Sequence, residues 1–161
     1  MVLAATMTSP EIAWGALSPL LILLGGTCAL LLFGTLVPRW PRVATPTLTI
    51  VTALASGVAL CVQWNNLYYR KGYSIVADAI SVDRFAVLTS IIITVAVALG
   101  ALLAAAHHDA ANGDPLENYA LLLTSAIGAM VMASANDLIV LFLGLEILSL
   151  SLYLICLLYT S

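Results

Sequence analysis

Charged side chains are what this sequence lacks most. Asp, Glu, Lys and Arg make up 8% of its 161 residues, while 63% are hydrophobic. A soluble domain carries about 25% charged residues, so a soluble globular protein is excluded. The few basic residues form no cluster, which excludes a nucleic-acid partner. The composition therefore indicates an integral membrane protein that contacts the lipid bilayer.

Paired cysteines and recognisable cofactor motifs are also missing. Cys28, Cys61 and Cys156 stand far apart in apolar segments, without the spacing of a zinc site or a redox pair. His107-His108-Asp109 is the nearest approach to a ligand cluster, but adjacent helical residues point about 100° apart, so we interpret it as a solvated helix end. No phosphate loop and no nicotinamide, flavin or iron–sulfur motif occurs. We expect no metal and no cofactor bound by this chain.

Long apolar runs are what the sequence does contain. A hydrocarbon core of about 30 Å is crossed by about 20 helical residues, and the alternation typical of barrel strands is absent. The sequence therefore predicts an all-α membrane protein, with residues 70–84 as a loop. We expect about five transmembrane helices, over Ala13–Val37, Thr45–Leu67, Arg84–Ala106, Glu117–Ala133 and Leu138–Leu158.

The fourth and fifth spans are separated only by Ser134-Ala-Asn136-Asp137. Short polar residues favour turns and helix N-caps, so we expect a break here and Asp137 as the cap of the fifth helix. A connection this short makes the two helices antiparallel neighbours.

One carboxylate lies in the middle of the fifth span. Glu146 is the only charged residue between Leu138 and Ser161, and a charge at that depth costs about 2.5–3.5 kcal/mol on insertion scales. Residues three, four and seven apart share a helix face, which puts Ser149 and Tyr153 beside it. We expect this polar stripe to face a bundle interior or a file of water. Two interpretations stay open, a proton-relay group or a hydrogen-bonded residue that holds helix packing together.

Two stretches carry a resemblance to a known family. The longer runs from Glu117-Asn-Tyr119 through Asn136-Asp137 and Leu-Gly-Leu-Glu146 to Tyr153, and the shorter is Ile80-Ser-Val-Asp-Arg-Phe-Ala86. Together they resemble the antiporter-like subunits in the membrane arm of respiratory complex I, a family shared with multisubunit cation/proton antiporters. The resemblance covers roughly residues 75–155.

The resemblance implies a fold and a division of the chain. Members of the family have roughly fourteen helices, so the chain would be an N-terminal fragment of such a subunit. Residues 1–112 would form three peripheral helices with their loops, and residues 113–161 the first two helices of the proton-translocating domain. The ending Cys156-Leu-Leu-Tyr-Thr-Ser161 is also expected not to be native sequence.

The resemblance further implies a function. Glu146 matches the family's coupling glutamate, which pairs with a lysine on a later helix, and the only lysine of this chain is Lys71 in a loop. Ser149 and Tyr153 would orient or hydrate the carboxylate. The complete subunit would couple quinone reduction to proton translocation in an NADH–quinone oxidoreductase of the bacterial inner membrane. NADH and quinone would be used by the complex and its other membrane-arm subunits.

Two alternatives remain. The family motif is shared with cation/proton antiporters, so a subunit of such an antiporter, without redox chemistry, fits the same residues. A five-helix scaffold protein, in which Glu146 only holds helices together, also fits. A lysine-bearing helix encoded downstream would argue against the scaffold.

Overall fold

The computed structural model describes residues 14–36, 43–69, 72–75, 79–106 and 116–160. In these ranges the chain forms helices and one short pair of strands. The elements are α1 (Trp14–Leu36), α2 (Ala44–Tyr69), β1 (Tyr73–Ile75), β2 (Ile80–Val82), α3 (Arg84–Ala106), α4 (Leu116–Ser134) and α5 (Leu138–Thr160).

The predicted helical membrane fold is confirmed. Each of the five described helices is long and apolar enough to cross a bilayer. Their ends fall within about two residues of the predicted ends, which is usual for boundaries read from sequence. Within the described ranges the chain is therefore a multi-pass membrane protein.

The prediction of a loop over residues 70–84 is wrong in part. β1 and β2 pair as antiparallel strands, with Ser74 opposite Ser81. Three-residue strands are too short to show the alternation by which strands are recognised, so the sequence did not reveal them. Asp83, within the predicted loop, accepts a hydrogen bond of 2.7 Å from the backbone N–H of Ala86 and so caps α3.

α1 and α2 are joined by hydrogen bonds around a proline. Pro19 lies inside α1 and has no N–H, so the carbonyl of Gly15, four residues earlier, loses its helical donor. Gln63 of α2 supplies one, because its Nε2 lies 2.7 Å from the Gly15 oxygen and 3.0 Å from the Ala16 oxygen. The buried hydroxyl of Ser56 donates to the carbonyl of Pro19 itself, at 3.0 Å.

α4 lies at the centre of the described bundle. It packs against α1, α2, α3, α5 and strand β2, and Leu123, Tyr119 and Met130 of α4 are buried in the hydrophobic core. α5 lies outside this bundle and packs mainly on α4. The two helices form the expected antiparallel pair, since Gly128 of α4 faces Leu148 and Gly144 faces Met132.

Candidate functional site

The turn between α4 and α5 is attached to the β hairpin. The backbone N–H of Asn136 donates to the carbonyl of Ala79 at 3.0 Å, and Ala135 forms an antiparallel bridge with Ile80. Asp137 occupies the predicted N-cap position, because its carbonyl accepts the first helical bond of α5 from Leu141. The start of α5 is therefore held by the β hairpin as well as by α4.

Glu146 lies near the middle of α5. It is eight residues after Leu138, the first residue of a 23-residue helix, which places it about 12 Å from that end. Arg84 and Glu117 are the other charged residues in the described helices, and each lies in the first turn of its helix. Among the described residues, Glu146 is thus the single charge deep in a spanning helix.

Close packing on α4 fixes the position of Glu146 around the helix. A Cβ atom built on Gly144 would lie 2.8 Å from the backbone nitrogen of Met132, and one on Gly128 would lie 2.6 Å from that of Leu148. Only glycine allows so close an approach. Glu146 lies between these two contacts along α5, two residues from each, and is half-buried. Two residues correspond to about 200° of helical rotation, so Glu146 lies on the face of α5 that is turned away from α4.

The three residues of the predicted stripe have different surroundings. Ser149 is half-buried next to Glu146, and its hydroxyl donates to the backbone carbonyl of Glu146 at 3.2 Å. The side chain of Tyr153 is 71% exposed, and that of Phe142, on the same stripe, is 61% exposed. The structure therefore brings Glu146 and Ser149 together and leaves Tyr153 on the open face of α5.

The other residues considered from sequence do not extend the site. Glu117 is exposed in the first turn of α4, while Lys71 and His107-His108-Asp109 lie outside the described residues. In the part of the chain that the structure describes, no group of three potential ligands could hold a metal ion. Sequence reasoning missed Gln63, although a proline inside α1 already indicated a carbonyl in need of a donor.

This arrangement would allow Glu146 to exchange a proton with a group on a neighbouring helix. The carboxyl group of Glu146 lies on a helix whose far side is open, so a group on another helix could approach it there. The hydrogen of Ser149 is donated to a backbone carbonyl, which leaves the hydroxyl oxygen as an acceptor. A protonated carboxyl or a water molecule beside Glu146 could donate to that oxygen.

Comparison with known proteins gives the family. No family model matches the chain. It is 32% identical over 84% of its length to NADH-quinone oxidoreductase subunit N 1 of Koribacter versatilis. It is 30% identical over 93% of its length to subunit N of Cutibacterium acnes, and 35% identical over 88% to that of Anoxybacillus flavithermus. These stretches span 27%, 32% and 28% of the relatives' own lengths.

A solved structure shares the fold. A chain of respiratory complex I from Thermus thermophilus, determined with bound aureothin, superposes with a TM-score of 0.68 over 85% of this chain and 28% of that one, at 23% identity. The fold is thus that of a helical membrane subunit of complex I. The chain belongs to the family of NADH-quinone oxidoreductase subunit N.

Proposed function

We propose that the chain is the part of a proton-translocating membrane-arm subunit that carries the coupling carboxylate, Glu146. One observation carries the proposal: Glu146 is the single charge deep within the described spanning helices. A carboxylate at such depth is costly, and residues of this kind in membranes mark ion and proton pathways.

The surroundings of Glu146 support a partner outside this stretch of chain. The glycine contacts turn the opposite face of α5 toward α4, and Glu146 shares its own face with Phe142 and Tyr153, whose side chains are exposed. The matched stretches span 27% and 32% of the relatives' own lengths. We propose that a later helix of the same subunit covers the open face of α5 and brings a lysine to Glu146.

Ser149 and Tyr153 take supporting roles in the proposal. Ser149 would hold water beside the carboxylate through its free lone pairs, since its hydrogen is directed at a backbone carbonyl. Tyr153 would orient that water from the open face once the later helix is in place. Residues 1–112 would serve as a peripheral unit, and residues 113–161 would begin the translocating domain.

The redox chemistry lies elsewhere in this proposal. The complete complex would oxidise NADH and reduce quinone, and this chain would bind neither. Its protein partners would be the other membrane-arm subunits, and its location the bacterial inner membrane, as for its bacterial relatives. Protonation of Glu146 would change as the lysine approaches or withdraws, because an opposite charge favours the ionised carboxylate.

The test is Glu146→Gln in the full-length subunit, assembled into the complex and reconstituted in vesicles. Glutamine keeps the size and hydrogen bonding of the side chain and removes the titratable proton. We expect the rate of proton pumping to fall by roughly tenfold or more, because positioned proton-transfer groups contribute at least that much to rate.

Glu117→Gln is the matched control, since it makes the same chemical change at an exposed site in the first turn of α4. It should leave pumping unchanged. Normal pumping by an assembled Glu146→Gln complex would disprove the coupling role. A loss of assembled complex, with normal pumping by the remainder, would instead support the scaffold role. NADH-independent sodium–proton exchange that Glu146→Gln abolishes would support the antiporter.

A further inference from the structure

A half-open cavity lies beneath the β hairpin, on the side of the bundle away from the open face of α5. Its walls come from the first turns of α1 and α3, the last turns of α2 and α4, and both strands. Its volume is about 50 Å³. One water molecule needs about 10–15 Å³ measured this way, so about three would fit.

Polar groups from four elements line this otherwise apolar space. Gln63 of α2, Ser81 of β2, Ser90 of α3 and Ser134 of α4 all lie in its wall. A cavity becomes hydrated when it offers a water molecule two to four polar partners, and an all-apolar cavity of this size stays dry. The number of polar groups and the volume both meet the requirement for bound water.

The hydrogen bonds of these side chains decide what kind of ligand fits. The hydroxyl of Ser90 donates to the carbonyl of Ala86 at 2.7 Å, and that of Ser134 donates to the carbonyl of Met130 at 2.9 Å. The amide nitrogen of Gln63 is engaged with two carbonyls of α1. The hydrogens are thus in use, and what these three side chains still offer is oxygen lone pairs.

We propose that this cavity is a resident water site. Water brings two donors to a wall of acceptor oxygens, so a small cluster can bridge α2, α3 and α4 under the hairpin. Three of the four polar side chains in the wall offer only lone pairs to a ligand, so the wall favours water over an anion. The site is separate from Glu146 and does not depend on the coupling role proposed for that residue.

Met130 makes the proposal testable, because its side chain lines the cavity although it is only 3% exposed. Hydroxyl radicals generated by X-rays from bound water oxidise a neighbouring methionine to the sulfoxide. Met132, two residues on, is more exposed but does not line the cavity. In the full-length subunit within its complex, we expect Met130 to be oxidised several-fold more than Met132. Oxidation of Met130 at or below the level of Met132 would overturn the proposal.

Two serine variants sharpen the test. Ser90→Ala removes one acceptor from the wall and should lower oxidation of Met130 several-fold. Ser125→Ala removes an equally buried α4 hydroxyl that bonds to a carbonyl in the same way and lies outside the wall, so it should have no effect. Equal effects of the two variants would contradict a water site at Ser90.

A monovalent cation would also bind to acceptor oxygens. Replacing sodium chloride by choline chloride distinguishes a bound cation from bound water. Choline is too large for the cavity, so it cannot take the place of a bound sodium ion. If water occupies the cavity, oxidation of Met130 should be the same in sodium chloride as in choline chloride. A marked difference between the two salts would mean that an ion occupies the site and that the water assignment is wrong.

Discussion

The α1–α2 and α4–α5 helix pairs are held together differently. A glycine contact occurs in both, since Gly26 of α1 lies against the side chain of Thr52 of α2, but hydrogen bonds are added only in the first pair among the bonds described. At α1–α2, side chains from one helix donate hydrogen bonds to backbone carbonyls of the other, through Gln63 and Ser56. At α4–α5, the absence of side chains at Gly128 and Gly144 brings the two backbones together. In lipid, where apolar surfaces gain little by avoiding solvent, both hydrogen bonding and close packing are established ways to associate helices.

The two helices of the α4–α5 pair also differ from each other. α5 is the more apolar, with a mean hydropathy of 2.5 against 1.4 for α4, yet 11% of its most apolar stretch is buried against 44% for α4. Lipid is as apolar as leucine, so hydropathy does not drive a spanning helix inward. The less apolar helix is central because its small and hydroxyl-bearing residues allow several neighbours to approach.

The largest effect on stability is expected from Gly128→Ala, which places a side chain in the close contact between α4 and α5. The new Cβ would lie 2.6 Å from the backbone nitrogen of Leu148 and 2.9 Å from the carbonyl oxygen of Gly144. Backbone atoms cannot rotate away, so we expect the free energy of unfolding to fall by about 3 kcal/mol, the upper end for overpacking. Reversible unfolding of the full-length subunit in mixed micelles measures it.

Gly25→Ala provides the control, because a Cβ there meets nothing within 4 Å. It should not lower the free energy of unfolding, because alanine is a better helix former than glycine by about 0.5–1 kcal/mol. If the two alanine variants were equally stable, the α4–α5 pair would not depend on glycine.

An intermediate effect is expected from Gln63→Leu, which removes the donor that bridges α2 to α1. The Gly15 carbonyl would retain only the hydroxyl of Ser18, at 2.8 Å. Hydrogen bonds between helices in membranes contribute about 0.6–2 kcal/mol, and we expect a loss of stability in that range in the same unfolding measurement.

A double-mutant cycle with Pro19→Ala tests whether Gln63 replaces the backbone N–H that Pro19 lacks. Alanine at position 19 restores an N–H to α1 that can donate to Gly15, so the cost of Gln63→Leu should shrink in that background. Purely additive effects of the two substitutions would show that Gln63 does not compensate for the proline.

The smallest effect is expected at the turn that joins α4 to α5. Asn136→Pro removes the N–H that donates to the carbonyl of Ala79, and the preceding Ala135 is already in a strand-like bridge, as a residue before proline prefers. We expect a loss of about 0.5–1.5 kcal/mol, the usual worth of one hydrogen bond, with faster hydrogen exchange in the hairpin.

Asn136→Ala keeps the N–H and separates its contribution from that of the side chain. Hydrogen exchange in β1 and β2 should then stay close to that of the unchanged protein. Equal acceleration in both variants would assign the attachment to the Asn136 side chain rather than to its backbone.

Much of this fold could be read from composition and run length. The helices follow from charge-free stretches of sufficient length, and the break before Leu138 follows from short polar residues that favour turns. The β hairpin could not be predicted, because three-residue strands leave no periodic pattern. The role of Gln63 depends on the register between α1 and α2, which no local pattern contains.

Glu146 shows which properties of a residue follow from the sequence and which follow only from the tertiary structure. Its depth in the membrane and its isolation from other charges are properties of the linear sequence, because insertion of a helix depends on the hydropathy and length of its own segment. The angular position of Glu146 around α5 is not a property of the linear sequence, because it depends on which face of α5 packs on α4. The contact between Gly144 and Gly128 turns the face of α5 that bears Glu146, Ser149 and Tyr153 away from α4, and Tyr153 is the most exposed of the three.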